Sequence, residues 1–345
     1  MTRRFSSGGS DAAAEIEMAE RLDAAGRHHE AIDCLARATQ LGSVEAKTRL
    51  AKRVIVGDRA PLLLSAGVDL IREAAAEGGA EAAAILAVLA AAGLGGRQNW
   101  AAALDLARVA AARGWQRAAR QLEVLASLDP RLEGHSWVQV APPIILHDDP
   151  SIRLFRNFVN DEVCAWLIES ARGRLERAKV YDAASKADLI SEGRTNSAAT
   201  FNLVETDLVH LMVQSRMSAA IGVPFANMEG ATVLHYAPGE QITEHYDFVD
   251  PSIPGYEDEV RTRGERIATF LVYLNEDYEG GETEFSVLGI RHKGRRGEGL
   301  CFINALRDGA PDRRTRHAGR PPVRGEKWVL SQFIRNKPAV PFLAG

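Results

Sequence analysis

The feature that most constrains this chain is a 36-residue period in its first third. Four residue types recur in register, each three times. The columns are Gly42, Gly78 and Gly114; Asp33, Asp69 and Asp105; Ala46, Ala82 and Ala118; and Leu50, Leu86 and Leu122. Such a period is typical of stacked helical pairs, because one pair cannot bury its own apolar face. The glycine is expected where one helix ends and the next begins, since that turn favours a positive φ. An alanine-rich helical bundle with accidental periodicity is the alternative.

The composition changes near residue 130 of the 345-residue chain. The first 130 residues contain 34 alanines, three aromatic residues and two prolines, whereas the rest contains 20 alanines and 19 aromatic residues. Alanine-rich sequence favours helices, and aromatic sequence interrupted by Gly and Pro favours strands and turns. We therefore predict an α+β chain of two domains. Its parts are a disordered tail (1–10), an all-α helical-repeat solenoid (11–128), a linker (129–139) and a second domain (140–345).

The second domain combines short strands with a few helices. Strands are predicted over 231–236, 266–274, 299–304 and 327–335, where β-rich runs are bounded by Gly, Pro or charge. Helices are predicted over 160–178, with Asn160 or Asp161 as the N-cap, and over 207–221. Residues 248–265 are interpreted as an extended, turn-rich flap. This pattern indicates an α+β or barrel-like domain.

Charge and cysteine content exclude several classes of protein. A net charge of -4 argues against a general nucleic-acid binder, and no apolar run approaches the roughly 18 residues of a membrane span. The three cysteines are too far apart to predict a zinc site or a disulfide framework, which suits a reducing cytoplasm. Residues 291–327 carry eleven Lys or Arg against four Asp or Glu. This basic rim, which includes Arg313, Arg314 and Arg316, is either a solvated edge or a surface for an acidic partner.

A candidate metal site follows one of the predicted strands. His245 and Asp247 form an H-x-D pair, and alternate residues of an extended chain point to the same side. His317, just before another strand, is the candidate third ligand. Two imidazoles and one carboxylate suit iron(II) and leave coordination positions open. The alternative for His245 is a surface histidine beside a turn.

Two further residues could complete a ligand site. Lys327 follows His317 by ten residues and begins a strand, so its cation could pair with the distal carboxylate of a cosubstrate. Tyr236 precedes His245 by nine residues, and its hydroxyl could reach the same carboxylate. A lysine at the start of a strand is otherwise usually solvated.

Both halves of the chain resemble known families. Residues 11–126 resemble tetratricopeptide-like repeats of the Sel-like branch, with a Gly-rich loop and paired alanines before the closing glycine. Residues 140–338 resemble the prolyl 4-hydroxylase branch of the iron(II)- and 2-oxoglutarate-dependent dioxygenases. The stretches that carry this resemblance include LHYAPGEQITEHYDF, RIATFLVYLNEDYEGGETEF and RTRHAGRPPVRGEKW. They unite H-x-D, EGGET, H-x-G and G-x-K-W in the family order.

The second resemblance implies a fold and a set of roles. The fold is a double-stranded β-helix (jelly-roll) with flanking helices, in which His245, Asp247 and His317 bind Fe(II). Lys327 and Tyr236 would bind the C5 carboxylate of 2-oxoglutarate, with a contribution from Thr269. The EGGET stretch would be a hairpin that packs over the site. Arg194 would lie near the substrate groove, with an exposed loop arginine as its alternative.

The resemblance also implies a reaction. With Fe(II), 2-oxoglutarate and O2, and with ascorbate as reductant, the chain would hydroxylate an unactivated C–H and release succinate and CO2. The expected substrate is a prolyl residue of a peptide or protein that the helical repeats bind. Neither nucleic acid nor membrane is expected as a partner. A hydroxylase of another side chain or of a small molecule, and a non-catalytic interaction protein built on the repeats, are the alternatives.

Overall fold

A computed structural model describes residues 7–94, 97–132, 136–182, 187–250 and 252–338. The chain divides into two compact units. Residues 1–126, 131–133 and 202–208 form the first, and residues 127–130, 134–201 and 209–345 form the second. Of the predicted disordered tail, residues 1–6 lie outside the described ranges, whereas Ser7 already begins a helix. Within the described ranges, no helix is both long enough and apolar enough to cross a membrane.

The first unit is built from antiparallel helical pairs. Its helices are α1 (Ser7–Ala24), α2 (His28–Gln40), α3 (Val44–Val56), α4 (Leu64–Ala76), α5 (Ala80–Ala92), α6 (Trp100–Ala112) and α7 (Gln116–Leu128). Gly42, Gly78 and Gly114 lie between α2 and α3, α4 and α5, and α6 and α7, with φ of 87°, 102° and 91°. The predicted helical repeats are therefore confirmed, and each periodic glycine has the backbone conformation that the prediction requires.

The other columns of the period divide between the core and the surface. Ala46, Ala82 and Ala118 are buried, as expected for residues at which helices approach closely. Asp69 and Asp105 lie at the surface, where each bonds an arginine three residues along its helix at 2.8 Å and 2.6 Å. Such exposed pairs contribute only a few tenths of a kcal/mol, by a rough estimate. The alanines, rather than the aspartates, therefore stabilise the stack.

The second unit is mainly β-sheet. Its strands are β1 (Ile144–His147), β2 (Ile152–Phe155), β3 (Glu176–Arg177), β4 (Lys179–Asp182), β5 (Ala187–Ile190), β6 (Ser197–Thr200), β7 (Thr232–Tyr236), β8 (Ile242–His245), β9 (Arg266–Tyr273), β10 (Glu279–Gly280), β11 (Thr283–Phe285), β12 (Ile290–His292), β13 (Gly299–Ile303), β14 (His317–Gly319), β15 (Pro322–Arg324) and β16 (Lys327–Arg335). Its longer helices are α8 (Asp161–Arg172), α9 (Leu208–Ile221) and α10 (Tyr256–Arg263). The four predicted strands correspond to β7, β9, β13 and β16.

Two antiparallel sheets enclose the core of this unit. The larger has the order β1-β2-β13-β9-β16-β7-β6-β3, and the smaller has the order β12-β11-β14-β8. Phe285 of the smaller sheet packs in one cluster with Tyr273, Phe302 and Val329 of the larger sheet. Strands alternate between faces, so every second residue of β9, β13 and β16 points into this interior. The predicted α+β class and the jelly-roll architecture are confirmed.

The predicted helix over 160–178 begins where expected and ends early. Asn160 is its N-cap, because the side-chain oxygen accepts a hydrogen bond from the Val163 amide at 3.0 Å. The helix stops at Arg172, before Gly173. Residues 176–177 form β3 instead, so pairing with β6 overrides the local helical pattern.

Two loop interpretations need correction. The 248–265 flap is not wholly extended, since it contains α10. Acidic residues in the first turn of α10 and arginines in its last turn complement the helix dipole. The EGGET stretch does not close a hairpin, because β10 pairs with β15 whereas β11 pairs with β12 and β14. Its two glycines, Gly280 and Gly281, have φ of 69° and 70° and carry the chain between the two pairings.

Candidate active site

The three candidate metal ligands converge at one end of the smaller sheet. β8 and β14 are neighbours in register, with His245 opposite His317. Asp247 lies two residues beyond His245, and its two carboxylate oxygens face the Nε2 atoms of His245 and His317 at 3.3 Å and 3.4 Å. One ligand atom from each residue lies within 4.8 Å of the other two. The structure therefore brings together the three residues that the sequence singled out.

The histidine rings are oriented with Nε2 toward the centre of this cluster. Nδ1 of His245 lies 2.8 Å from the Thr243 carbonyl, and Nδ1 of His317 lies 3.0 Å from the Thr315 carbonyl. Because a carbonyl only accepts, Nδ1 of each ring carries a proton, and in the neutral form of each imidazole Nε2 holds the lone pair. This is the tautomer that a metal ion requires.

Burial and charge set the protonation states of the cluster. Burial lowers the pKa of His317 to about 4, so its imidazole is neutral. Burial alone would raise the pKa of Asp247, but the two imidazoles and the Thr269 hydroxyl hold it below its ordinary value. For His245, burial is outweighed by the hydrogen bond and charge of Asp247, which raise its pKa. The set offers an ionised carboxylate and a neutral imidazole, and a cation at the centre would favour deprotonation of the second imidazole.

Lys327 and Tyr236 are direct neighbours across β16 and β7. Lys327 is only 2% exposed, and its Nζ lies 5.0 Å from the ring centre of Tyr236 and 5.8 Å from that of Tyr273. In the described part of the chain, Nζ makes no hydrogen bond or ion pair. Burial accordingly lowers the pKa of Lys327 to about 8, opposed by the charge of Glu282. A buried ammonium without a partner has the charge and the free donors that pair with a carboxylate.

Two motif glycines leave space beside these side chains. A Cβ at Gly319 would lie 3.2 Å from the Tyr236 hydroxyl oxygen, and a Cβ at Gly281 would lie 2.9 Å from the Tyr278 ring and 3.4 Å from Cδ of Lys327. A side chain at Gly319 would therefore shift the Tyr236 hydroxyl slightly. The glycines of H-x-G and EGGET shape the space around Lys327.

Thr269 lies beside the carboxylate rather than beside the lysine. Its hydroxyl donates to Oδ2 of Asp247 at 2.8 Å, and the Asn304 side-chain amide donates to Thr269 Oγ1 at 2.9 Å. The sequence suggested Thr269 as a cosubstrate ligand and did not single out Asn304 or Tyr273. The alternation of β9 provides the missed signal, since Thr269, Leu271 and Tyr273 share the interior face.

Arg194 lies next to β8 at the edge of the site. Its backbone bridges to Ile242, and its Nη1 donates to the Lys179 carbonyl at 3.2 Å. Burial raises the pKa of Tyr236, and the positive charge of Arg194 acts against that increase. Arg194 is therefore close enough to Tyr236 for its charge to act on the phenol, and its contact with a substrate stays a prediction.

Three arginines of the predicted basic rim, Arg313, Arg314 and Arg316, are paired within the chain. Arg313 bonds Asp250 at 2.8 Å, Arg314 bonds Asp312 at 2.7 Å, and Arg316 bonds Glu244 at 2.9 Å. Because each charge already has a carboxylate partner, the arrangement favours the solvated rim over a surface for an acidic partner.

Comparison with known proteins gives matches in both halves. The model of the 2OG-Fe(II) oxygenase superfamily matches residues 231–335. Probable prolyl 4-hydroxylase 7 of Arabidopsis thaliana is 30% identical over 54% of this chain and 63% of its own length. Probable prolyl 4-hydroxylase 10 of the same plant is 30% identical over 58% of this chain and 72% of its own length. The chain thus spans less than two thirds of the length of the first of these relatives.

Two solved structures are also similar to this chain. The viral collagen prolyl hydroxylase of Paramecium Bursaria Chlorella virus-1, in its 2OG complex, is 24% identical, with a TM-score of 0.41 over 53% of this chain and 95% of that chain. A Sel1 repeat protein from Oxalobacter formigenes is 26% identical, with a TM-score of 0.33 over 36% of this chain and 51% of that chain. On the family model and the extent of the second plant match, this chain belongs to the 2OG-Fe(II) oxygenase superfamily, in its prolyl 4-hydroxylase branch.

Proposed function

We propose that this chain is an Fe(II)- and 2-oxoglutarate-dependent dioxygenase that hydroxylates a prolyl residue of a peptide or protein. The observation that carries the proposal is the convergence of two Nε2 atoms and one carboxylate at a single point. The plant relatives, named as prolyl 4-hydroxylases, support the choice of substrate class.

His245, Asp247 and His317 would hold the iron. The donor set fits, because both histidines have Nδ1 occupied by a carbonyl and Nε2 turned toward the carboxylate. When bound, iron with 2-oxoglutarate and O2 supplies the oxidising chemistry that places one oxygen atom on the substrate carbon and the other in succinate, with loss of CO2. The protein positions these reactants and keeps water from the site.

Lys327 and Tyr236 would bind the distal carboxylate of 2-oxoglutarate. The ammonium would form a charge-assisted hydrogen bond, worth about 1.5–3 kcal/mol, and the phenol would donate a second bond. Burial keeps Tyr236 protonated because it raises the pKa of the phenol. Gly319 lets the Tyr236 side chain pack close to the backbone, and Gly281 does the same for the side chains of Tyr278 and Lys327.

The remaining assignments concern the substrate and the cell. Arg194 would contact the peptide, which its position beside β8 supports. The helical repeats would bind the rest of a protein substrate, as stacked helical pairs often do. Ascorbate would act as the reductant that keeps the iron ferrous. We propose the cytoplasm as its compartment, which three buried and unpaired cysteines would suit.

The test is consumption of 2-oxoglutarate. The full chain with Fe(II) should release CO2 from 2-oxoglutarate, and a prolyl peptide should gain the mass of one oxygen atom. Asp247→Ala removes the single anionic ligand and should abolish both. Turnover in Asp247→Ala at modest iron concentration would argue against the ligand set. A wild-type chain that binds neither iron nor 2-oxoglutarate would instead favour the non-catalytic interaction protein. Oxidation at another side chain would leave the reaction class intact and change the substrate.

A further inference from the structure

We propose that Thr269 and Asn304 are positioning residues that fix the Asp247 carboxylate for the metal ion. The inference rests on the proposed iron site and adds two residues that do not touch the ion. It assigns Thr269 to the metal ligand, not to 2-oxoglutarate.

Two consecutive hydrogen bonds lead from the Asn304 amide through the Thr269 hydroxyl to the Asp247 carboxylate. Asn304 Nδ2 donates to Thr269 Oγ1 at 2.9 Å, and Thr269 Oγ1 donates to Asp247 Oδ2 at 2.8 Å. The hydroxyl has one proton, and the amide already occupies one of its lone pairs. The proton is therefore directed at the carboxylate. All three side chains are buried, with exposures of 0%, 0% and 6% for Asn304, Thr269 and Asp247.

The sheet holds the two donors in place. Thr269 lies opposite Phe302 in the β9–β13 register, and Asn304 follows two residues later on the same interior side. The Asn304 backbone is bonded at both groups. Its amide donates to the Ile267 carbonyl at 2.8 Å, and its carbonyl accepts from the Asp312 amide at 2.8 Å. Rigid strands thus position the amide, which is the support that a precise site needs.

The buried amide is costly for a residue that only fills space. Among the described residues Asn304 Oδ1 has no hydrogen-bond partner, and an unpaired buried acceptor is destabilising. An apolar residue of the same volume would pack without this cost. The retained amide points to the use of its other end, the Nδ2 that holds the Thr269 hydroxyl.

The hydrogen bond from Thr269 affects which oxygen of the Asp247 carboxylate is available to the ion. Oδ2 accepts the hydrogen bond of Thr269, which favours Oδ1, 3.3 Å from Nε2 of His245, as the ligand of the ion. The hydrogen bond also restrains rotation of the carboxylate. Partners that orient a ligating group typically change metal affinity by about 10–100-fold.

The experiment measures Mn(II) affinity of the full chain from the EPR signal of the free ion. Thr269→Val removes the hydroxyl at constant shape and should weaken binding about 10–100-fold, whereas Thr269→Ser keeps the hydroxyl and should bind like wild type. Asn304→Leu should weaken binding about fivefold, because a neutral hydrogen bond contributes about 1 kcal/mol. The double variant Thr269→Val/Asn304→Leu should bind no more weakly than Thr269→Val, since Asn304 acts only through Thr269.

The outcomes separate this inference from the proposed function. A wild-type chain that binds neither Mn(II) nor Fe(II) overturns the metal site itself. A wild-type chain that binds Mn(II), with Thr269→Val equally tight, overturns only the positioning role. Equal losses in Thr269→Ser and Thr269→Val would mean that packing, not the hydroxyl, matters. If Thr269→Val does not fold, Asn304→Leu is the deciding variant. An unchanged Mn(II) affinity in Asn304→Leu would then overturn the positioning role of the two residues.

Discussion

Lys327→Met should make the free protein more stable while removing its response to 2-oxoglutarate. The ammonium is 2% exposed and has no bonded partner among the described residues. Its pKa is about 8 against an ordinary value of 10.5. Each tenfold change in a protonation equilibrium corresponds to about 1.4 kcal/mol, so a charged Lys327 at pH 7 lowers the free energy of unfolding by about 3 kcal/mol.

The sign of this effect with pH is fixed by proton counting. Between about pH 8 and pH 10.5 the unfolded lysine is protonated and the folded lysine is not. The unfolded state therefore binds more protons, and the contribution of Lys327 to stability rises with pH across that window. Methionine has a similar unbranched shape and no charge, so the variant should gain most at pH 7 and little above about pH 10.5.

Urea unfolding of the full chain, at pH 7 and pH 10 with and without 2-oxoglutarate, checks these expectations. The gain for Lys327→Met at pH 7 should be positive and at most about 3 kcal/mol. At a cosubstrate concentration of 100 Kd the wild-type chain with Mn(II) should gain about 2.7 kcal/mol, and the variant should gain nothing.

Lys293→Met is the matched control. Lys293 lies in the same unit, is exposed, and its ammonium is 5.1 Å from the Tyr278 ring centre. The same substitution there should change stability by less than about 1 kcal/mol and leave the response to 2-oxoglutarate intact. A Lys327→Met chain less stable than wild type at pH 7, or one still stabilised by 2-oxoglutarate, would refute the reasoning.

Three further predictions follow from the site and the repeats. Calorimetry of the Mn(II)-loaded chain should show 2-oxoglutarate binding weaken about tenfold per pH unit above pH 8, because the free lysine must first take up a proton; a flat profile to pH 9.5 would contradict this. Tyr236→Phe and Gly319→Ala should each raise the 2-oxoglutarate requirement about five- to tenfold, by loss of a hydrogen bond and by displacement of the hydroxyl, with Mn(II) affinity unchanged; loss of Mn(II) binding would place them in the metal site. Two triple variants test whether the repeats bind the protein substrate: one has lysine at Asp33, Asp69 and Asp105 (on α2, α4 and α6), and the other has lysine at Glu45, Glu81 and Glu123 (on α3, α5 and α7). If the repeats bind the substrate, either variant should raise KM for that protein, while kcat and the turnover of a short peptide stay constant. An unchanged KM in both triple variants would count against docking.

The docking role of the repeats is tested with surface substitutions and not with a shortened chain, for a structural reason. Residues 202–208 belong to the same compact unit as the repeats, and Asp207, 2% exposed, is bonded to Arg117 at 2.8 Å. A chain that began after residue 137 would lose these contacts. Its failure would then report on folding rather than on docking.

Features that depend on local spacing could be predicted from the sequence. The 36-residue glycine column fixes helix ends because a positive φ is a local requirement. The H-x-D pair places two ligands on one side of a strand by alternation alone. The short strands β7, β9, β13 and β16 are predictable from their composition and their flanking residues. α10 was missed because its eight residues, which are mostly polar, form no apolar stripe, and only its charge order favours a helix.

Features that depend on the register between distant strands could not be predicted. Asn304 meets Thr269 only because β13 pairs with β9 in one register, and a shift by one residue would turn Asn304 away. The position of Thr269 on Asp247, rather than on Lys327, has the same origin. The low pKa of Lys327 depends on burial, which a lysine at the start of a strand does not predict.

The pattern of paired and unpaired polar atoms indicates where ligands bind in this site. Atoms that orient a ligating group are paired within the protein: each histidine Nδ1 has a carbonyl, and Asp247 Oδ2 has a hydroxyl. The Lys327 ammonium and the Tyr236 hydroxyl have no hydrogen-bond partner among the described residues, and burial penalises the charge of the first. A bound carboxylate that supplies the missing partner therefore offsets the penalty of burial on the ammonium. The lower stability of the free chain and its affinity for a dicarboxylate are therefore two consequences of one arrangement, and Lys327→Met should raise the stability while it lowers the affinity.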